Sequence, residues 1–387
     1  MHIGAEKEKD CMQDQSVCLA RCENYAEESV RRAVGRIFEA FGGLPALCGG
    51  KKVLLKPNLL LALEPDDAAT THPAVVQAVA ELCVEAGCRV VIADSAGGPY
   101  TVGHLKRLYE KTGLDKVAER TGATLSYNTA AHTVAYPEGK TAKSFSIIDP
   151  IAEADFIIDL AKMKTHGFAT YTGAVKNMFG SVPGLTKPVM HSRYPDRETF
   201  CSMLVDLCGC VGPDFSLIDG VVGMEGQGPS GGTPKAAHVL VGARNPHAAD
   251  LAAVQIMGLR ANQVPTLVEA MRRRLIPTDW KQLTLLGDPI VSFLTHFKPA
   301  GNTKKGVRER LPSFLLPFIG NVGKPYPEIV LDKCIGCGDC MRTCPRKVIS
   351  IVQGKASIHY SGCIRCYCCH ELCRVRAIRF RHRPMRQ

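Results

Sequence analysis

The chain has 387 residues, 45% hydrophobic and 22% charged, with a formal net charge of +11. That is length enough for two buried cores, and the balance excludes a disordered or fibrous chain. The opening MHIGAEKEKDCMQD lacks the apolar run of a secretory signal, and the longest later apolar stretch, LPSFLLPFIG at 311–320, is too short to cross a bilayer. A cytoplasmic protein with no transmembrane segment is therefore expected.

In chain order, residues 1–16 read as a polar tail. From 17 to 300, short apolar runs alternate with helical stretches, which predicts an α/β domain with a mostly parallel sheet. The expected strands are KKVLLKPNLLL (51–61), CRVVIADS (88–95), ADFIIDLA (154–161), FSLIDGVV (215–222) and HVLVGA (238–243). In THPAVVQAVAELCVEAG, Thr71 suits an N-cap, Pro73 the first turn and Gly87 the stop. Val75, Val76, Val79, Leu82 and Cys83 recur there at helical spacing, so Cys83 reads as core filling. The G-x-G-x-x-G of Gly226, Gly228 and Gly231 precedes a strand rather than a helix, which favours a turn or anion-binding nest over a dinucleotide site.

Ligands of α/β sheets bind at the carboxyl ends of strands, so polar residues there are the candidates. They are Lys56 and Asn58, then Asp94 and Ser95, then Lys162, Lys164 and His166 in the KMKTH that follows FIIDLA. Lys176, Asn177, His191, Asp219 and Glu225 complete the set. Lys164, His166 and Glu225 are the candidates for moving protons, and the others for binding an anionic small molecule. Each also has a plainer reading as a solvated loop charge or helix cap.

Residues 301–327, rich in Gly, Pro and basic side chains, read as a linker. Residues 328–381 form a repeat of 29 residues in which CIGCGDCMRTCP aligns with CIRCYCCHELCR, and 382–387 are a basic tail. Both halves carry C-x2-C-x2-C-x3-C, the ferredoxin spacing in which the fourth thiolate of each run reaches the other cluster. The spacing predicts a small α+β ferredoxin-like domain with two 4Fe-4S clusters. One would sit on Cys334, Cys337, Cys340 and Cys373, the other on Cys363, Cys366, Cys369 and Cys344. Structural zinc, with ligands in two pairs, fits two interlocked tetrads poorly. Cys368 aligns with Asp339 and is spare. Six arginines near the runs, Arg342, Arg346, Arg365, Arg374, Arg376 and Arg379, are expected to raise the cluster potentials.

Residues 331–387 hold twelve of the 48 Lys and Arg but three of the 37 acids. The excess of positive charge thus lies beside anionic clusters, which argues against a nucleic-acid partner.

VLLKPNLL, TTHPAVVQAVA, IADSAGG, AKMKTHG, TGAVKNMFGSVPG, DGVVGMEGQGPSGG and CIGCGDC together resemble the family called domain of unknown function 362. The resemblance implies an α/β domain fused to a two-cluster ferredoxin module, found in anaerobic bacteria and archaea, and carries no agreed reaction. Two functions are expected. One is an iron-sulfur electron-transfer protein that serves redox chemistry on an anionic small molecule. The alternative is an accessory carrier or docking protein for a redox partner, favoured by the lack of a flavin or nicotinamide motif.

Overall fold

The computed structural model describes residues 14–300 and 325–381. Most of the expected linker (301–324), most of the N-terminal tail (1–13) and the basic tail (382–387) lie outside the described residues. In the first domain the strands are β1 (Ser16–Arg21), β2 (Lys52–Pro57), β3 (Arg89–Ile92), β4 (Thr124–Leu125), β5 (Ala131–Ala135) and β6 (Ser144–Ile148). They continue as β7 (Phe156–His166), β8 (Thr170–Thr172), β9 (Phe215–Glu225), β10 (Thr233–Ala243) and β11 (Thr284–Gly287). The main sheet runs β11-β1-β10-β9-β7-β2-β3-β4, with β8 paired antiparallel to the end of β7. Only β10 and β8 run against the rest.

Side-chain alternation splits the interior into cores on the two faces of the sheet. Cys18 and Ala20 of β1, Val53 and Leu55 of β2, and Ile158 and Leu160 of β7 join one core with the helices Glu27–Glu39 and Pro73–Glu85. Val17 and Leu19 face a second core around the helix Pro246–Ile256. Leu54 and Ile157 face a third, built on the helix Arg197–Val211. Each fully buried Val, Leu or Ile contributes about 1.5–3 kcal/mol, so these layers hold the sheet flat against its helices.

The helix after β2 begins as expected at Pro73, but its N-cap is His72, whose side chain accepts from the Ala74 N–H. Thr71 is buried instead and donates to the Leu160 carbonyl at 2.6 Å. Cys83 packs in the core. A larger correction concerns β7, which runs to His166 rather than ending at Ala161. Lys162, Lys164 and His166 therefore stand on the strand and not on a loop after it. The strand continues because Lys162 sits in register with Asp219 of β9 and residues 164–166 pair with β8. Buried partners then offset the cost of the charged side chains.

The second domain consists of β12 (Tyr326–Ile329), β13 (Ile349–Val352), β14 (Lys355–Ile358) and β15 (Ile378–Arg381), with β12 paired to β15 and β13 to β14. Short helices, Asp339–Thr343 and Cys368–Glu371, begin within the two cysteine runs. Tyr326 and Pro327, expected to be linker, belong to β12. This domain docks against the carboxyl ends of the main strands. Arg376 pairs with Asp67 at 2.7 Å, Ser230 Oγ donates to the His370 carbonyl at 3.4 Å, and the Tyr367 ring lies 6.4 Å from that of Phe168. Among the described residues no helix is long and apolar enough to cross a membrane.

Candidate functional site: a lysine-lined cleft between the two domains

Where the domains meet, a cleft is lined from one side by Asn58, Asp94, Ser95, Lys164, Lys176, Asn177, Lys187 and His191. Thr343, Cys368, Glu371 and Leu372 line it from the other. It encloses about 70 Å³, room for a few waters or a small organic anion.

The floor is a connected polar chain. Lys56 Nζ pairs with Asp94 Oδ1 at 2.7 Å, both fully buried, and Asp94 Oδ2 accepts from the Leu59 N–H at 3.1 Å. Asn177 donates to Asp159 Oδ1 at 2.6 Å and accepts from Asn58 Nδ2 at 2.9 Å. Asn58 Oδ1 in turn accepts from Lys164 Nζ at 2.8 Å, and Lys164 also donates to the Ala69 carbonyl at 2.6 Å. Burial raises Asp159 to about 8, against the pull of Lys56. Burial, together with Lys176 and Lys162, holds Lys164 well below the usual ammonium range.

The short helix Ala174–Asn177, which carries Lys176 and Asn177, is fixed at its start by Asp250. That carboxylate accepts from the Ala174 and Val175 N–H groups at 2.7 and 3.1 Å and from the Tyr171 hydroxyl at 3.0 Å. Gly180 is required here, because a Cβ would press on Asp94 and come within 2.5 Å of Lys56 Nζ. Lys187 is caged by oxygen: it donates to the Ser95 and Val182 carbonyls, each at 2.6 Å, which pins the 95–96 loop to residue 182. Burial lowers it to about 7.

His166 lies behind this floor. Its Nδ1 accepts from the Phe168 and Ala169 N–H groups at 2.9 and 3.1 Å, so Nε2 carries the proton and faces Glu371 Oε1 at 3.1 Å. The two atoms lie outside the angular range of a good hydrogen bond. Burial pushes His166 down to about 4. Burial opposes ionisation of Glu371 as well, yet His166 and Lys176 hold it below the ordinary carboxylate range. Of the pair, Glu371 carries the charge and His166 is neutral. The neutral form stands, since protonating Nδ1 would break both main-chain bonds; an uncharged imidazole facing an ionised carboxylate follows. His191, stacked on Phe200 with ring centres 4.0 Å apart, is likewise pushed down by burial, to about 3.

Of the candidates read from the sequence, Asn58, Asp94, Ser95, Lys164, Lys176, Asn177 and His191 gather on the cleft, with Lys56 directly beneath and His166 behind. Lys162 and Asp219 do not. They form a separate buried pair at 2.8 Å with the Tyr25 hydroxyl, whose ring stacks on His72. Glu225 is also elsewhere, accepting from the Lys298 N–H at 2.9 Å, so it does not join Lys164 and His166. The Gly226 to Gly231 segment is a turn between β9 and β10, and its Gly231 approaches His370. Lys187 and Glu371 were not anticipated, and Cys368 was expected only as a spare thiol. For Glu371 a signal existed: with Asp339 it is one of two acids after residue 332 in a strongly basic segment.

The thiols of the second domain fall into two groups. Cys334, Cys337, Cys340 and Cys373 surround one cavity, and Cys344, Cys363, Cys366 and Cys369 surround another, with Cys368 between that cavity and the cleft. The donor chemistry fits iron-sulfur clusters: soft thiolates in fours, with the N–H groups of Ala356, Val348 and Ala377 directed at Cys334, Cys344 and Cys373 at 3.1 to 3.4 Å. No three His, Cys, Asp or Glu among the described residues close on a single ion. Four of the six nearby arginines have an acidic partner, and two of the three acids are shared between two arginines. Arg342 and Arg374 pair with Asp339, Arg376 with Asp67, and Arg379 with Glu328.

The model of the family described as domain of unknown function (DUF362) matches residues 53–255, and that of the 4Fe-4S dicluster domain matches residues 326–374. A thylakoid-associated protein of Synechocystis sp. is 31% identical over 272 residues, covering 68% of this chain and 81% of that protein. The lactate racemase apoprotein from Thermoanaerobacterium thermosaccharolyticum aligns with a TM-score of 0.40 at 15% identity, over 64% of this chain and 58% of that one. A structural-genomics protein from Thermotoga maritima aligns with a TM-score of 0.35 at 14% identity, over 61% and 60%.

Proposed function

From a chain that belongs to the DUF362 family and carries a 4Fe-4S dicluster domain, we propose an electron-transfer protein that exchanges electrons with an anionic small molecule held in the cleft. Two 4Fe-4S clusters are assigned, one to Cys334, Cys337, Cys340 and Cys373 and the other to Cys363, Cys366, Cys369 and Cys344. When bound, they supply one-electron transfer.

The observation that carries this reading is the position of Cys368, which lines both the cleft and the cavity of the second tetrad. A molecule held by Lys164 and Lys176 would thus lie one side chain away from a cluster. The residues of this chain do the rest. Lys176 offers a charge to the anion, Asn58 and Asn177 orient Lys164, and the docked module covers the cleft to exclude water. Glu371 keeps the cleft from being uniformly positive, which favours a small anion with a polar group beyond its charge.

A redox partner protein is part of the proposal. Ile335, 61% exposed, lines the cavity of the first tetrad; Leu331, 57% exposed, precedes its cysteine run in the sequence, and Met341, 39% exposed, lies within it. Exposed apolar side chains beside a cluster suit transient docking of an electron carrier. They equally suit the second reading, an accessory carrier with no substrate of its own. We assign the protein to the cytoplasm, and the thylakoid association of the Synechocystis relative supports contact with a membrane-bound partner.

Anaerobically purified full-length protein tests the two readings. Iron and sulfide analysis reads the clusters, and thermal denaturation across a panel of small carboxylates and phosphates reads the cleft. A panel member that raises the unfolding temperature and alters the rate of cluster reoxidation supports the substrate reading. Intact, reducible clusters with no response to any anion leave the carrier.

A further inference from the structure

Three lysines line the cleft, and they are not equivalent. Lys187 is surrounded by carbonyl oxygens and serves as a brace. Lys176 is half-buried, its Nζ 5.7 Å from the centre of the Phe179 ring, and carries charge into the cleft. Lys164 is 1% exposed, and its Nζ donates to Asn58 Oδ1 and the Ala69 carbonyl. The Asn58 oxygen has no freedom to turn away. Its NH2 is committed to Asn177 Oδ1, and the NH2 of Asn177 is committed to Asp159 and the Lys56 carbonyl. A neutral amine has two N–H groups and one lone pair. With both N–H groups held, the lone pair of Lys164 has a fixed direction.

We infer that Lys164 is a nucleophile that forms an imine with a small 2-oxo acid bound in the cleft. The inference rests on the anion-binding reading above and gives its substrate a class. Desolvation by burial, then the charges of Lys176 and Lys162, favour the free amine, while Glu371 and Asp94 oppose this; a desolvated lysine beside another cation is a recurring way to activate an amine for carbonyl chemistry. Lys176 is placed to pair with the carboxylate. The room in the cleft, about 70 Å³, limits the acid to a few carbons.

The step balances without an oxidant or reductant. Lys164 Nζ forms a bond to the carbonyl carbon as the C=O electron pair moves to oxygen. The two amine protons then leave with that oxygen as water, and the carbon–nitrogen double bond closes.

The test uses the full chain, purified anaerobically with its clusters, incubated at neutral pH with pyruvate or glyoxylate and sodium cyanoborohydride, then digested and mapped by mass spectrometry. Reduced adduct on Lys164, at least about tenfold above any exposed lysine and absent from K164R, is the expected result. Thermal denaturation with lactate and with pyruvate, without reductant, runs beside it. Stabilisation by these acids with no selective adduct overturns the imine and leaves the anion site standing. Neither stabilisation nor adduct overturns both. The wild-type map decides the matter even where K164R folds poorly.

Discussion

Glu371 Oε1 stands 3.1 Å from His166 Nε2, and through this pair the second domain meets the end of β7, an eleven-residue strand of the first. His166 is buried and Glu371 partly so, and the imidazole is oriented by two main-chain N–H groups, so the carboxylate must come to it. Replacing Glu371 by Ala removes the carboxylate that faces the buried His166 Nε2 across the domain boundary. Hydrogen exchange should quicken in residues 164–172 and 368–373, with iron content unchanged. E371A exchanging like the native protein would show that the pair does not hold the domains together.

Two glycines leave no room for a side chain, one against the second domain and one in the cleft floor. A Cβ on Gly167 would lie 2.5 Å from Phe380 Cζ, and one on Gly180 would press on the Lys56 and Asp94 pair. G167A should loosen β15 and its cluster domain, whereas G180A should disturb the cleft floor. Each should lower stability by about 1–3 kcal/mol, read by urea unfolding. Only G180A should also abolish stabilisation by anions.

The thiols can be sorted by iron analysis and electron paramagnetic resonance. C368S should keep the full iron content and change only the spectrum of the neighbouring cluster. C369S should lose iron. Equal losses in the two variants would mean that the register of the repeat does not decide the ligands.

Charge in the cleft should make anion affinity depend on Lys176. Loss of a charge-assisted contact costs about 1.5–3 kcal/mol, so K176M should weaken binding of a small carboxylate about tenfold or more. Titration calorimetry at two salt concentrations reads this; an unchanged affinity would place the anion elsewhere.

Acid should destabilise the fold through its buried histidines. His191 and His247 are pushed down by burial from 6.5 to about 3. Between those values the unfolded chain binds protons that the folded chain does not. Stability is therefore full above about pH 6.5 and falls toward pH 3, by up to about 1.4 kcal/mol per pH unit for each histidine. Urea midpoints from pH 7 to 4 should show this slope. H191F, which keeps the stack on Phe200, should make it shallower, and an unchanged slope would mean that His191 does not titrate there.

Much of the fold was legible in the chain because it is local. The short apolar run in KVLLKP and the 3.6 period in PAVVQAVAELCVE announce a strand and a helix that are found at Lys52–Pro57 and Pro73–Glu85. Periodicity failed at KMKTH, where charged residues continue a buried strand, because their partners come from β8, β9 and the cluster domain. Glu225 and Asp219 shared the chemistry expected of a site yet were drawn to Lys298 and Lys162.

The sequence by itself determined the two cysteine tetrads as candidates and the α/β class, since both depend on spacing along the chain. Only the tertiary structure decided which polar residues share the cleft. It gathered Asn58, Lys164, Lys176, Lys187 and Glu371 on one cleft, and it left Cys368 between the thiols and the lysines. Such contacts form where separate elements bring side-chain ends together in a region closed to water, and neither composition nor period encodes that meeting.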